Sequence, residues 1–463
     1  MTQDYKAFLE AKTERFLGVG FEPPGLNPHL MPFQKDIVHW ACMKGRAAIF
    51  SDCGTGKSIM QLAWADAVSE HTDGNVLILA PLSVSQQTVQ EAGKFGIEAK
   101  YSRNGKPAGR ITVANFEMME HFSPSDYAAV VLDESSILKA SDGKTRSQII
   151  DAFRETEYRL ACTATPAPND FMELGNHSEF LGTMKQTEML SKFFFHDGGE
   201  TQAWTLKGHA EDEFWKWVCS WAVMLRKPSD IGHKDDGFIL PPLRTHQHSI
   251  SVNTSAVSED LFGDVMIAST LNDQRDARRE SLDARVAKCA ALVNGNTDAW
   301  LVWCDLNAEG DALEKALDGA VQVSGSDSLD SKVEKIQMFL DGRARVLVTK
   351  PRVAGMGLNL QHCHNEAFVG VSHSFEAMYQ AIRRCWRFGQ KNPVDVHLIC
   401  SEREGPVLDN LMRKEADATV MVEGMLKHVS IHSDIAKSIR EHDAYDPQVE
   451  AIFPDWLRSK EPQ

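Results

Sequence analysis

No two cysteines in this sequence stand closer than 11 positions apart, the nearest pair being Cys42 and Cys53. Without a C-x-x-C, the nine cysteines suggest neither a zinc ribbon nor a redox pair. A reduced, intracellular protein is the expectation. No run of 18 apolar residues occurs and no signal peptide is evident, so a soluble cytoplasmic chain with no membrane partner is expected. Positive charge is also short: 49 Lys and Arg against 65 Asp and Glu give a formal charge of −16. That weighs against a passive nucleic-acid coat, which would be basic overall. It leaves room for a basic cleft on an acidic body, because a ligand meets the local field rather than the sum. Internal repeats and low-complexity tracts are missing as well.

What is present is an ordinary globular composition, 43% hydrophobic and 25% charged, over a length that suits two to four domains. Short runs rich in Val, Ile and Leu recur, each followed by a polar turn and a helix-like segment. The first set is 46–51, 75–80, 110–114, 128–133 and 158–163; the second is 299–305, 320–325, 345–350, 366–371 and 394–400. Runs apolar on both faces that alternate with helices are the pattern of parallel sheets. Two sets predict two α/β domains. Residues 175–235 between them, rich in Phe, Trp, Met and Lys as in "EFWKWVCSWAVML", show helical spacing and no strand pattern, so a helical insertion is expected there. "LPPLRTHQHSISV" then starts an extended segment, since its prolines stop a helix. Residues 401–463 read as helices that end acidic, with no Lys or Arg from Glu441 to Leu457.

"FSDCGTGKSIMQL" holds most of the phosphate-loop pattern G-x-x-x-x-G-K-[S/T], but Ser51 stands where the first glycine belongs. The context is a strand, a glycine-bearing turn and a helix. Gly54 and Gly56 would let backbone N–H groups face phosphate oxygens, with the positive helix N-terminus behind them. Thr55 completes the turn, Lys57 would reach the β- and γ-phosphates, and Ser58 would ligate Mg²⁺. Taken alone this could be an ordinary strand-to-helix turn. "AAVVLDESS" changes the balance: a run of apolar residues followed by Asp133-Glu134 makes a Walker-B arrangement. Asp133 would hold Mg²⁺, and Glu134 would polarise the attacking water. Ligands bind at that end of such sheets, so ATP hydrolysis is expected. "QHCHNE" invites a metal reading through His362, Cys363 and His364, but no acidic or cysteine partner cluster accompanies it.

In this order the segments resemble those of superfamily-two helicases, most closely the Swi/Snf-like ATPases, including short phage and bacterial forms, from about residue 26 to about 425. The loop "DCGTGKS" is similar residue for residue to that family's Asp-Met-Gly-Leu-Gly-Lys-Thr. "MPFQKDIVHWA" resembles the adenine-reading motif, which implies that Gln34 reads the base; alone it would pass for an amphipathic helix start. "LILAPLSVSQQ" and "ITVANFEMM" resemble elements that touch the DNA backbone, through Pro81, Leu82, Ser83 and Asn115. "DESSILK" places Lys139 in the family's lysine position, with Ser136 replacing a histidine, so coupling to the second domain could differ. "LACTATPAPNDF" implies that Thr163 and Thr165 link the γ-phosphate site to DNA. "MLRKPSDIG" and the following "LPP" resemble the crossing between lobes. "LVWCDLN" resembles the fourth helicase motif. "VLVTKPRVAGMGLNLQ" resembles the fifth, with Gly355, Gly357, Leu358 and Asn359 in a loop against nucleotide and DNA. "YQAIRRCWRFGQ" resembles the sixth, with Gln380 beside the nucleotide and Arg384 and Arg387 as arginine fingers; Arg383 is extra and is expected to face elsewhere.

The resemblance implies two RecA-like parallel-sheet domains in tandem, with ATP and Mg²⁺ as cofactors and DNA, duplex above all, as partner. The lobes are expected at 1–245 and 246–400, with a helical insertion at about 175–235 and a C-terminal helical segment with an acidic tail at 401–463. The activity implied is an ATP-driven translocase. A strand-separating helicase is the second reading, and a nucleotide-gated DNA clamp without motor activity the third. The absence of a recognisable chromatin-reading, nuclease or methyltransferase module suggests a bacterial or phage setting with replication or repair proteins as partners.

Overall fold

The computed structural model describes residues 19–139, 143–196, 204–251, 278–353, 359–372 and 374–431. The five runs of the first set form β1 (Arg46–Ser51), β2 (Val76–Ala80), β4 (Ile111–Asn115), β5 (Ala129–Asp133) and β6 (Tyr158–Thr163). Apart from half-buried Arg46 their residues are buried, as strands covered on both faces must be. With the short β3 (Ala99–Tyr101) and β9 (Ala222–Leu225) they make an all-parallel sheet in the order β3-β4-β2-β5-β6-β1-β9.

The second set forms β11 (Trp300–Cys304), β12 (Ala320–Val323), β13 (Val346–Thr349), β14 (Asn365–Val369) and β15 (Val394–Ser401). Together with β10 (Leu243–Ile250) these build a parallel sheet in the order β10-β15-β14-β11-β13-β12. The molecule is thus two RecA-like α/β lobes, as expected. The expected boundary at 245/246 falls inside β10, which pairs with β15 from Leu243 onward.

The region 175–235 departs from the expectation of a helical insertion. Helices do occupy Leu174–Leu181, Gln186–Phe193 and Glu211–Cys219, but β7 (Phe194–His196) and β8 (Trp204–Leu206) form an antiparallel hairpin among them. The stretch "EFWKWVCSWAVML" itself divides. Its first part is the helix Glu211–Cys219, and its last four residues are β9, which pairs with β1 and completes the first sheet. Four residues buried on both faces carry no periodicity to betray a strand, and the helical spacing just before them hides the change. The aromatic residues form a cluster beneath β1, with Phe50 edge-on to Trp221 and Phe193 edge-on to Phe214.

The helix Gly405–Ile431 runs 27 residues, about 40 Å at 1.5 Å per residue. Val407 and Leu411 belong to the core of the second lobe, whereas Met421, Val422 and Met425 are buried in the core of the first. At Gly424 the helix passes so close to Trp215 that an added Cβ would stand 2.6 Å from the indole. The acidic tail lies outside the described residues.

The second lobe also buries charge that periodicity gives no hint of. Arg285 and Glu309, both fully buried, pair at 2.8 Å, while the other Glu309 oxygen accepts the N–H groups of Asp305 and Leu306. Arg278 bridges Glu404 and Asp305 at 2.8 and 2.6 Å. These pairs tie the helices Leu282–Val293 and Asn307–Ala316 to the end of β15. Arg285→Ala would strand a buried carboxylate, and a loss of about 3–5 kcal/mol is expected in urea unfolding. Removing the exposed pair Arg413–Asp417 should change the same midpoint by less than about 1 kcal/mol.

Candidate nucleotide site and interlobe cleft

Parallel register brings the motifs together. Phe50 lies opposite Thr163, Asp133 opposite Cys162, and Ala80 opposite Asn115, so the chain leaves β1, β2, β4, β5 and β6 along a single edge. The phosphate loop follows β1 and leads into the helix Lys57–Thr72, whose first turn carries Ser58. Gly54 and Gly56 both take positive φ, 92° and 90°, which a side chain would resist. Ser51, the residue out of pattern, is fully buried, and its hydroxyl shares a hydrogen bond with that of Thr55. A small hydroxyl residue therefore closes the loop where the general pattern has glycine.

Gln34 holds the loop from the amino-terminal side. Its amide donates to the Thr55 carbonyl at 2.8 Å and accepts the Met31 N–H at 2.9 Å. The Lys57 ammonium donates to the carbonyls of Ser51 and Asp52 at 2.6 and 3.3 Å. A cation resting on its own loop's carbonyls, beside N–H groups and a helix N-terminus, suits the phosphates of a nucleotide.

Asp133 is buried at the end of β5 and Glu134, the next residue, is half-buried. Burial pushes both carboxyls up, that of Glu134 to about 7 against the opposing pull of Lys57. Glu134 also has φ 55°, a left-handed conformation uncommon outside glycine and a form of local strain that gathers at functional sites. Its Oε2 accepts from Thr163 Oγ1 at 3.3 Å in its own lobe and from Gln380 Nε2 at 3.5 Å in the other. Thr163 in turn accepts the Thr165 N–H, and the buried Thr165 hydroxyl has no partner among the described residues.

The second lobe meets this edge with the helix Phe375–Ile382 and the turn after it. Arg384 is near enough for its charge to hold Glu134 down, and Arg387 sits beside Arg384, its pKa lowered mainly by burial. A Cβ at Gly54 would stand 3.1 Å from the Phe388 nitrogen and 3.7 Å from Arg387 Cβ. Ser136 does reach the second lobe despite replacing a histidine: it donates to Glu376, which Lys139 pairs at 2.6 Å. The expectation that Arg383 faces elsewhere is overturned, because its guanidinium pairs with Asp52 of the phosphate loop at 2.6 Å.

The remaining residues divide. Pro81 caps the helix Leu82–Lys94 after β2, Leu82 is exposed, and Ser83 lies in that helix's first turn. Asn115 ends β4 with its side-chain oxygen buried and without a partner among the described residues. Asn359 is exposed and accepts from the Gln361 N–H. Gly355, Gly357 and Leu358 lie outside the described residues. In "HCH" the thiol of Cys363 turns to the carbonyls of Ala299 and Asn365 while His362 packs on Phe339.

Two RecA-like lobes, with a phosphate loop and an acid pair on one and an arginine-bearing turn after the helix Phe375–Ile382 on the other, thus meet at one cleft. The homologues of this chain are helicases of the SWI/SNF type. The mouse DNA annealing helicase and endonuclease ZRANB3 is 21% identical over 458 residues, covering 89% of this chain and 42% of its own. A Caenorhabditis elegans homolog of the SWI/SNF-related matrix-associated actin-dependent regulator of chromatin subfamily A-like protein 1 is 22% identical over 477 residues, covering 92% and 66%. The chain thus spans about two-fifths of the ZRANB3 proteins and just under two-thirds of the nematode one. No protein-family model matches the chain. The solved Sulfolobus solfataricus SWI2/SNF2 ATPase core in complex with dsDNA aligns over 90% of this chain and 98% of its own, at 16% identity and a TM-score of 0.42.

If Glu134 serves as the base of an ATPase, it must be deprotonated to act, and burial lifts its carboxyl to about 7. The value of kcat/KM for ATP, which reports the free enzyme, should therefore fall about tenfold per pH unit below 7. Glu134→Gln should abolish that limb and lower the rate by about 100-fold or more. A steady-state pH series on both proteins checks it.

Proposed function

We propose that the chain is a DNA-dependent ATPase of Swi/Snf type that couples ATP hydrolysis to movement along DNA, mainly duplex. The observation that carries this reading is Glu134, touched by Thr163 from its own lobe and by Gln380 from the other. A base contacted by both lobes allows hydrolysis to depend on how the lobes stand to each other. The homologous helicases, whose names include a DNA annealing activity, support DNA as the track.

In this reading Gly54, Thr55, Gly56 and Lys57 cradle the phosphates of ATP, with Gln34 at the base and Gln380 on the far side. Ser58 and Asp133 would hold Mg²⁺, which when bound neutralises phosphate charge. Glu134 orients and deprotonates water. Arg384 and Arg387 offer guanidinium groups to the charge that develops on the transferred phosphoryl. Pro81, Leu82, Ser83 and Asn359 would contact the DNA backbone from both lobes, with the buried Asn115, Thr163 and Thr165 behind them linking the nucleotide site to those contacts, so closure and reopening would advance the protein along the DNA. Backbone contacts give salt-sensitive, sequence-tolerant binding. We place the lobe boundary just before Leu243, where β10 begins. A phage or bacterial setting with replication or repair partners draws no support from the relatives, which come from animals and yeast.

Duplex DNA should raise the ATPase rate more than single-stranded DNA or RNA, and Lys57→Ala should lower it about 100-fold or more. Displacement of a third strand without duplex unwinding is expected of a translocase. Unwinding would favour the strand-separating helicase, and no stimulation by any nucleic acid would sink the motor reading.

A further inference from the structure

The helix Phe375–Ile382 carries polar residues where a helix packed between lobes would ordinarily carry apolar ones. Glu376, Tyr379, Gln380 and Arg383 follow the spacing i, i+3, i+4, i+7 and therefore share one face. Each touches the first lobe. Glu376 takes Ser136 and Lys139, Gln380 reaches Glu134, and both Tyr379 and Arg383 fall on Asp52.

The contact at Asp52 is the most desolvated of these. Arg383 is 4% exposed, and its Nη2 donates to Asp52 Oδ2 at 2.6 Å and to the Cys53 carbonyl at 2.8 Å. The Tyr379 hydroxyl and the Cys53 N–H both donate to Asp52 Oδ1. The Trp386 ring flanks the guanidinium at 4.8 Å and the Tyr379 ring at 5.8 Å. An apolar cavity of about 60 Å³, lined also by Phe50, Met224, Met421 and Val422, adjoins Asp52 and Tyr379. Yet the Arg383 Nε finds no acceptor among the described residues. A buried pair left partly unsatisfied contributes little net stability, so its effect lies in geometry. It fixes the first turn of the phosphate loop against the turn that carries Arg384 and Arg387.

We propose that Arg383 and Tyr379 are positioning residues that pin the phosphate loop to the second lobe through Asp52, setting the register in which Arg384 and Arg387 meet the nucleotide. This rests on the ATPase reading above. Arg383 touches no reacting atom; it acts through Asp52 and through its neighbours in sequence. Ground-state affinity for ATP comes from the first lobe and is largely untouched, whereas transition-state contact from the second lobe depends on the pin.

The test uses the full chain as wild type, Arg383→Gln, Asp52→Asn and the double variant, with a dye at an exposed position of each lobe such as Lys94 and Asp341. Without nucleotide, Arg383→Gln should lengthen or broaden the interlobe distance. In the DNA-stimulated ATPase it should lower kcat about tenfold or more and leave KM for ATP within about twofold. The double variant should be no worse than the poorer single one, since both remove the same contact. An unchanged interlobe distance, a loss confined to KM, or losses that multiply would each overturn the proposal. A wild type without DNA-stimulated turnover would sink the ATPase reading instead, and the distance measurement would then judge the pin by itself.

Discussion

A parallel sheet sends every one of its strands out through the same edge, and the site of this protein is a consequence of that constraint. Five separate stretches, spread from Phe50 to Thr165, become neighbours because β1, β2, β4, β5 and β6 run the same way in register. Their carboxyl ends deliver the phosphate loop, Pro81, Asn115, the acid pair and the two threonines to one line. No single motif makes a site without that line, and the second lobe has only one edge to face.

On that edge the protein accumulates electrostatic cost. Asp133 is buried beside half-buried Glu134, which has a left-handed backbone conformation, and Lys57 folds back onto carbonyls of its own loop. Desolvation raises carboxyl pKa values and leaves cations looking for anions. Such an arrangement is poorly matched to itself and well matched to a charged ligand. The contrast with Arg285 and Glu309 is instructive. That pair is more deeply buried, but it is paired within hydrogen-bond distance and its carboxylate caps two backbone N–H groups, so it is structural.

The lobes are joined by more than the connection through residues 226–242. One face of the helix Phe375–Ile382 makes polar contacts with the first lobe, and the helix Gly405–Ile431 threads apolar residues into both cores. The first contact type is directional and can be exchanged for a ligand. The second is apolar and holds over small shifts. The two lobes are therefore held by contacts of two different kinds.

The sequence by itself determined the two sets of core strands, the phosphate loop, the acid pair and the arginine turn, because each is a local pattern of periodicity or spacing. It misplaced β9, since four residues buried on both faces have no period, and it put the lobe boundary inside β10. It also sent Arg383 elsewhere, although the spacing of 376, 379, 380 and 383 on one helical face was there to be read. What only the tertiary structure decided is which face that helix turns to the first lobe. The partners Asp52, Ser136, Lys139 and Glu134 lie about 240 to 330 positions away along the chain. No local propensity spans such a distance. It is settled only when two sheets, each closed by its own core, bring their edges together.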